Sequence, residues 1–139
     1  MPQKQPLKYH RLKFSLPKFS FYAKLLPSKN SELVHELLDN LPITGYAERW
    51  GEEIYFTIDA LLAISNPIET KSVGVGDIAF WVPGSAIAIF FGSTPMSKGS
   101  KPVPASAVGI FARIDGLKAI LEDLRHVKHM DKIVVSGAK

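Results

Sequence analysis

Within eight residues, Arg49-Trp50-Gly51-Glu52-Glu53-Ile54-Tyr55-Phe56, the chain gathers a cation, two carboxylates and three aromatic rings around a glycine. Rings offer apolar walls, a guanidinium offers oriented donors, and a carboxylate can face a cation or carry a proton. Such a mixture is the material of a binding recess. Glu52 and Glu53 are adjacent, so in a strand they point to opposite faces and cannot serve as an acid and base pair on one substrate; at most one of them enters a pocket. Trp50 and Phe56 also have a plain reading as core residues. Tyr55, Trp81 and one of Phe90 or Phe91 suit the wall of an apolar recess shaped for a ring such as that of proline.

Other chemistries have weaker support. Val73-Gly74-Val75-Gly76-Asp77 has the glycine spacing of a phosphate loop but no third glycine, no following lysine and no ensuing helix, so it reads as a strand end and turn. His126 and His129, with Asp123 and Asp131 nearby, would approach one another on a helix, but histidines at a helix C-terminus also complement its dipole, and no metal is expected. No Gly-x-Ser-x-Gly elbow accompanies the many serines. With no cysteine in the chain, disulfides, thiolate metal sites and cysteine nucleophiles are excluded. No cofactor is expected.

Elements must hold these residues in place, and hydrophobic periodicity predicts them. Residues 1–8, with Pro2 and Pro6 among Gln and Lys, read as a flexible arm, and 9–139 as a single domain. Leu12, Phe14 and Leu16 alternate with polar neighbours, and Phe19, Phe21, Ala23 and Leu25 resume the alternation one residue out of phase, which marks a turn or bulge between two strands. Leu33, Val34, Leu37, Leu38 and Leu41 recur at helical spacing until Pro42 ends the run. Ile54, Phe56 and Ile58 predict a strand with one buried face, and Asn66-Pro67 a turn. Ile78 to Val82 and Ala86 to Phe91, joined by Pro83-Gly84, predict a hairpin buried on both sides for part of its length. Residues 92–105 carry three prolines, two glycines and four hydroxyl residues and form the longest irregular loop, where function tends to sit. Val108 to Ile114 is a further strand, Leu117 to Leu124 a second short helix, and Ile133 to Val135 a last strand. Many short strands with two helices predict a mainly β fold, a closed or nearly closed barrel capped by helices, since closure removes exposed edges.

Charge is uneven along the 139 residues. Seven basic and no acidic residues precede Glu32, so the net +4 is the sum of +7 there and −3 elsewhere. Tyr9, Phe14, Phe19, Phe21 and Tyr22 interleave these cations. A nucleic-acid or partner-docking surface is one reading; the simpler one sends the aromatics to a core and the lysines to solvent, so nucleic acid is not the expected partner. The chain has no 18-residue apolar run and its first residues lack an unbroken apolar stretch, which excludes a membrane-spanning helix and makes a cytoplasmic location the expectation.

Four ordered motifs carry a family resemblance: Trp50-Gly51-Glu52-Glu53-Ile54-Tyr55-Phe56, Gly76-Asp77-Ile78-Ala79-Phe80-Trp81-Val82-Pro83-Gly84, Phe90-Phe91-Gly92-Ser93-Thr94-Pro95-Met96-Ser97 and Pro104-Ala105-Ser106-Ala107-Val108. From about Leu12 to Val135 the chain resembles the small prokaryotic cyclophilin-like proteins. The resemblance implies an eight-stranded closed barrel capped by two short helices. True cyclophilins are more distant relatives, and their Phe-His-Arg, whose arginine faces the prolyl amide, has no counterpart here; Ile89 stands where they carry glutamine, and only Arg49 lies in the corresponding region. The resulting expectation is a peptide or small-molecule binder without efficient prolyl isomerisation. Its candidate ligand-binding residues are Trp50, Glu52, Tyr55, Trp81, Phe91, Thr94, Met96 and Ser97. The rival, a divergent isomerase, would use Arg49 as its catalytic residue.

Overall fold

The computed structural model describes residues 6–58 and 67–139, so the first five residues of the expected arm and Asn66 of the Asn66-Pro67 turn lie outside the described residues. Arg11–Ser15 (β1) and Ser20–Leu25 (β2) form a hairpin, its turn closed by the Leu16 N–H donating to the Phe19 carbonyl at 2.9 Å. This turn is the phase slip seen in the sequence. It leaves Leu12, Phe14, Phe21, Ala23 and Leu25 all facing inward, with the rings of Phe14 and Phe21 stacked at 4.9 Å. None of the described cations of this segment is buried, and two aromatics stay beside them: Arg11 lies 4.6 Å and Lys13 6.0 Å from the Tyr22 ring, and Lys8 5.7 Å from that of Tyr9. Ahead of β1, Leu7 packs against the core and the Tyr9 ring lies where a side chain at Gly137 would be.

Ser31–Asp39 (α1) follows, burying Leu33, Val34 and Leu37. Then come Ile43–Tyr46 (β3), Glu48–Arg49 (β4), Glu53–Thr57 (β5) and Asp77–Trp81 (β6). A short 3-10 turn, Val82–Gly84, leads to Ala86–Phe90 (β7), Gly109–Ile114 (β8), Leu117–Arg125 (α2) and Lys132–Ala138 (β9). Neither helix of the described residues is long and apolar enough to cross a membrane.

Every strand pairs antiparallel with its neighbours, in the order β3-β9-β1-β2-β8-β6-β7-β5-β4. The outermost strands of this sheet, β3 and β4, are separated in sequence by Ala47 alone. Because consecutive Cα atoms stand about 3.8 Å apart, the two edges have to approach each other, and the sheet curls into a nearly closed barrel. Gly45 permits the approach, since a Cβ at this position would lie 2.5 Å from a ring carbon of Phe56 on β5. The strand count differs from the expected eight: the described residues hold nine. The excess comes from the seam, where β3 and β4, of four and two residues, are too short to show a period.

Two apolar layers share the strands β5 to β8. Inside the barrel lie Leu12, Phe14, Phe21, Ile54, Phe56, Ile78, Phe80, Ile87, Ile89 and Phe111, with the buried faces of both helices against them. Outside it, Val73, Ala79, Ala88, Phe90, Val108 and Ile110 form a second cluster, against which Leu26, Tyr55 and Trp81 pack. Each large side chain withdrawn from water in this way contributes about 1.5–3 kcal/mol. β7 is buried at all five positions, and the doubly covered hairpin expected from its unbroken apolar run is present. A register shift in the β6–β8 pairing between Ile78 and Ala79 lets Ile110 face outward while Phe111 and Ala112 both join the interior.

Candidate functional site

The outer layer is not sealed everywhere. Where β5 and β6 meet the loop that follows β7, a recess of about 220 Å³ opens, lined by Trp50, Glu53, Tyr55, Trp81 and Ala105. Strand parity explains three of the five. With Ile54 and Phe56 committed to the barrel interior, Glu53 and Tyr55 must point outward, and on β6 the same rule sends Ala79 and Trp81 out while Ile78 and Phe80 go in. In the outward row, Tyr55 stands opposite Ala88 and Ala88 opposite Ala79, so small methyl groups lie beneath the rings.

Trp50 is placed by a tight turn. Its N–H donates to the Glu53 carbonyl at 2.9 Å and the Glu53 N–H returns to the Trp50 carbonyl at 3.2 Å, closing a two-residue connection between β4 and β5. Gly51 occupies the first central position with φ of +62°, which a side chain would resist, and a Cβ there would also lie 2.9 Å from the Ser93 carbonyl oxygen. The turn is tied to the long loop through the Glu52 N–H on Ser93 O at 2.8 Å. Trp81 is held at its indole N–H, which donates to Ser106 Oγ at 2.6 Å, and its ring fills the space that a side chain at Gly84 would need. A Cβ at Gly84 would lie 2.5 Å from a ring carbon. Gly84→Ala therefore displaces the indole. We expect it to lower stability by about 1–3 kcal/mol, as overpacking does, and to shift tryptophan emission; an unchanged emission spectrum with unchanged stability would show that the ring does not rest there.

Glu53 is the unusual member. It is 8% exposed, and its Oε1 has no hydrogen-bond partner among the described residues. Burial disfavours the charged form and pushes its carboxyl up to about 7. A carboxyl titrating near neutral pH inside an aromatic recess can hold or release a proton under ordinary conditions and can act as counter-charge to a cation.

The candidates drawn from the sequence divide between this recess and its surroundings. Trp50, Tyr55 and Trp81 converge on it. Glu52 projects from the other side of the strand, where its Oε2 accepts from Arg125 Nε at 3.1 Å and ties the turn to α2. Phe91 is buried with the barrel interior, under the Arg49 guanidinium at 5.3 Å from its centroid. Thr94 and Ser97 frame the long loop: the Thr94 N–H donates to Ser97 Oγ at 2.9 Å, Thr94 Oγ1 to the Val103 carbonyl at 2.6 Å, and Ser97 Oγ to the Lys101 carbonyl at 2.7 Å. Met96 is 52% exposed and does not line the recess.

Arg49 is directed elsewhere. One terminal nitrogen reaches the carbonyls of Leu124, Arg125 and Val127 at 3.3, 3.0 and 3.0 Å, and the other reaches the Gly51 carbonyl at 3.1 Å. It thus ties the β4–β5 turn to carbonyls at and just beyond the end of α2, where helical partners run out. The two histidines also part: His126 Nδ1 lies 2.8 Å from the Glu122 carbonyl oxygen, and His129 Nδ1 lies 3.4 Å from Glu48 Oε1. At the glycine pair, the Gly74 N–H donates to Asp77 Oδ2 at 2.7 Å, and Asp77 Oδ1 receives Arg113 at 2.7 Å; this is the strand end and turn that the sequence suggested.

Glu53 was absent from the sequence-derived candidates, although a signal for it existed. It precedes Tyr55 by two positions, so any arrangement that turns Tyr55 into a recess turns Glu53 the same way and Glu52 the other.

With this geometry in view, comparison with known proteins gives three findings. Residues 10–136 match the family model described as Cyclophilin-like. The solution structure of a hypothetical protein from Archaeoglobus fulgidus is similar at a TM-score of 0.71 and 35% identity, over 94% of this chain and 95% of that one. The structure of McbB in complex with tryptophan is similar at a TM-score of 0.70 and 14% identity, over 91% of this chain and 44% of that one, a likeness of fold alone. A search of the curated proteins finds no relative.

Proposed function

Because this chain belongs to the cyclophilin-like family, we propose that its outer recess is a binding site for a small ligand or a single peptide side chain, and that the domain does not isomerise prolyl bonds efficiently. The observation carrying this reading is the recess itself: three aromatic rings around a buried carboxyl, with the nearby guanidinium of Arg49 turned away onto helix carbonyls. Rotation about a prolyl bond faces a barrier of about 20 kcal/mol, lowered chiefly by donors oriented at the twisted amide. Arg49, the one cation in the corresponding segment, has its donors occupied already. At about 220 Å³ the space is below the usual range of drug-sized sites, in keeping with a compact occupant. The fold neighbour McbB is described in complex with tryptophan, an aromatic amino acid.

Trp50 and Trp81 both line the recess, so its occupancy registers directly in tryptophan fluorescence. Titration with compact aromatic fragments and with a proline-peptide library should give saturable changes that Trp81→Phe reduces, while a protease-coupled isomerase assay should return the uncatalysed rate. Flat titrations across every probe would remove the binding reading. Catalysis above background that disappears in Arg49→Lys, with the fold intact, would favour the isomerase instead.

A further inference from the structure

Resting on the reading of the recess as a binding site, we propose that its occupant is a primary or secondary ammonium carried on a compact, flat apolar group, with Glu53 as its counter-ion and the rings of Trp50, Tyr55 and Trp81 around it. The first ground is the unpartnered acceptor. Glu53 is more than nine-tenths buried and lines the recess; its Oε1, itself shielded from solvent, has no donor among the described residues, and a turn of the carboxyl about its soft terminal bond brings that oxygen to a donor in the recess. Buried acceptors are almost always satisfied, and of the two exceptions among the described residues, Glu36 Oε2 and Glu53 Oε1, only the second belongs to a residue lining this recess, where an entering donor would complete it.

Among the described residues no cation lines the recess. Arg49 lies across carbonyls, Arg125 is shared between Glu52 and Glu122, and Arg113 is bound to Asp77. The second ground is the wall. Aromatic faces carry negative potential, so a cation is favoured over them and a ligand anion is disfavoured, the more so beside a carboxylate.

The acceptor also decides between kinds of cation. A quaternary ammonium would suit the rings but has no N–H to give, and it would leave Oε1 as it is now. A primary or secondary ammonium satisfies ring faces and oxygen together. Size limits the rest: about 220 Å³ leaves room for one ring and a short arm rather than a long chain.

Proton linkage then follows. The carboxyl of Glu53, held near 7 by burial, is partly protonated in the empty protein at neutral pH, whereas an ammonium beside it favours the ionised form. Among the described residues Tyr55 is the other titratable one lining the recess, and the described charges beside Glu53 in sequence point away, Glu52 to Arg125 and Arg49 to the end of α2. Binding below neutral pH therefore releases a proton, and affinity falls about tenfold for each pH unit below the midpoint.

Three probes of one shape test this: 2-phenylethylamine, its trimethylammonium analogue and the uncharged 2-phenylethanol. Each is titrated by tryptophan fluorescence and amide NMR into the full chain and into Glu53→Gln, at about pH 8 and about pH 6. The amine should bind at least about tenfold more tightly than either analogue at the higher pH, lose about tenfold at the lower one, and lose its advantage in Glu53→Gln while the alcohol binds as before. An amine no tighter than the alcohol overturns the proposal and leaves the recess as a neutral apolar site. A quaternary analogue as tight as the amine overturns the role given to Oε1. Silence from all three probes overturns the reading of the recess on which the proposal rests.

Discussion

Glu53→Gln raises the melting temperature of the protein above neutral pH, and the gain vanishes as the pH falls below about 4.5. The carboxyl moves from 4.5 in an open chain to about 7 in the folded protein, because burial disfavours its charged form. A folded-state value above the unfolded one means that the native protein binds the proton more tightly, so stability is fully present below 4.5 and is lost as pH rises through about 7. At about 1.4 kcal/mol per unit, the ionised group costs about 3 kcal/mol at pH 8. Glutamine keeps the shape and stays neutral, so for a domain of this size the variant should melt roughly 10 °C higher at pH 8 and alongside the wild type at pH 4. Thermal unfolding followed by circular dichroism across that range measures the difference. A gap of the same size at every pH would show that packing, not ionisation, separates the two proteins, and a wild type that gains stability above neutral pH would reverse the sign. A position where a neutral isostere stabilises the fold is one where the charged group is retained for another purpose.

Arg49→Ala should be the most damaging change near the site, and its damage should fall on the fold. The guanidinium donates to carbonyls of Leu124, Arg125, Val127 and Gly51 and lies over the Phe91 ring. It thereby joins the β4–β5 turn to the end of α2. Hydrogen bonds involving a charged group contribute about 1.5–3 kcal/mol each when partly shielded, but water can replace some of them here, so a net loss of about 2–4 kcal/mol is expected. Arg49→Lys should recover little, since an ammonium lacks the planar fork that spans several carbonyls. Urea unfolding gives the loss directly, and ligand affinity, measured on the fraction that remains folded, should be unchanged. A variant as stable as the wild type that no longer binds would place Arg49 in the recess chemistry after all.

The parts of this molecule that were legible from the amino-acid order are those governed by a repeating period. Alternation in β1, β2 and β5 and the helical spacing of Leu33, Val34 and Leu37 reflect one inward face per element, and the structure uses these residues so. The unbroken apolar runs of β6 and β7 signalled burial on both sides, though not what covers the outer side. β3 and β4 escaped because four and two residues contain less than one useful period. At the site, the aromatic residues Trp50, Tyr55 and Trp81 were legible as candidates because they stand in the motifs that carry the family resemblance, although β7 lies between the strands of Tyr55 and Trp81. Glu53 was not, since its surroundings come from partners distant in sequence, Phe90 across the β5–β7 pairing and Trp81 and Ala105 around the recess, while the local sequence offers two adjacent carboxylates. The contacts of Arg49 were not legible for a related reason: its partners at Leu124, Arg125 and Val127 lie 75, 76 and 78 positions away, beyond the reach of any local pattern.

The division of apolar material into two layers, one within the cylinder and one upon it, separates endurance from selectivity. Residues such as Phe14, Phe56 and Phe111 belong to the interior of the cylinder, while Ala105 lines the recess from a loop and Ser106 anchors the Trp81 indole beside it. A substitution in the outer dressing therefore reshapes the recess while the interior that holds the barrel together stays as it is.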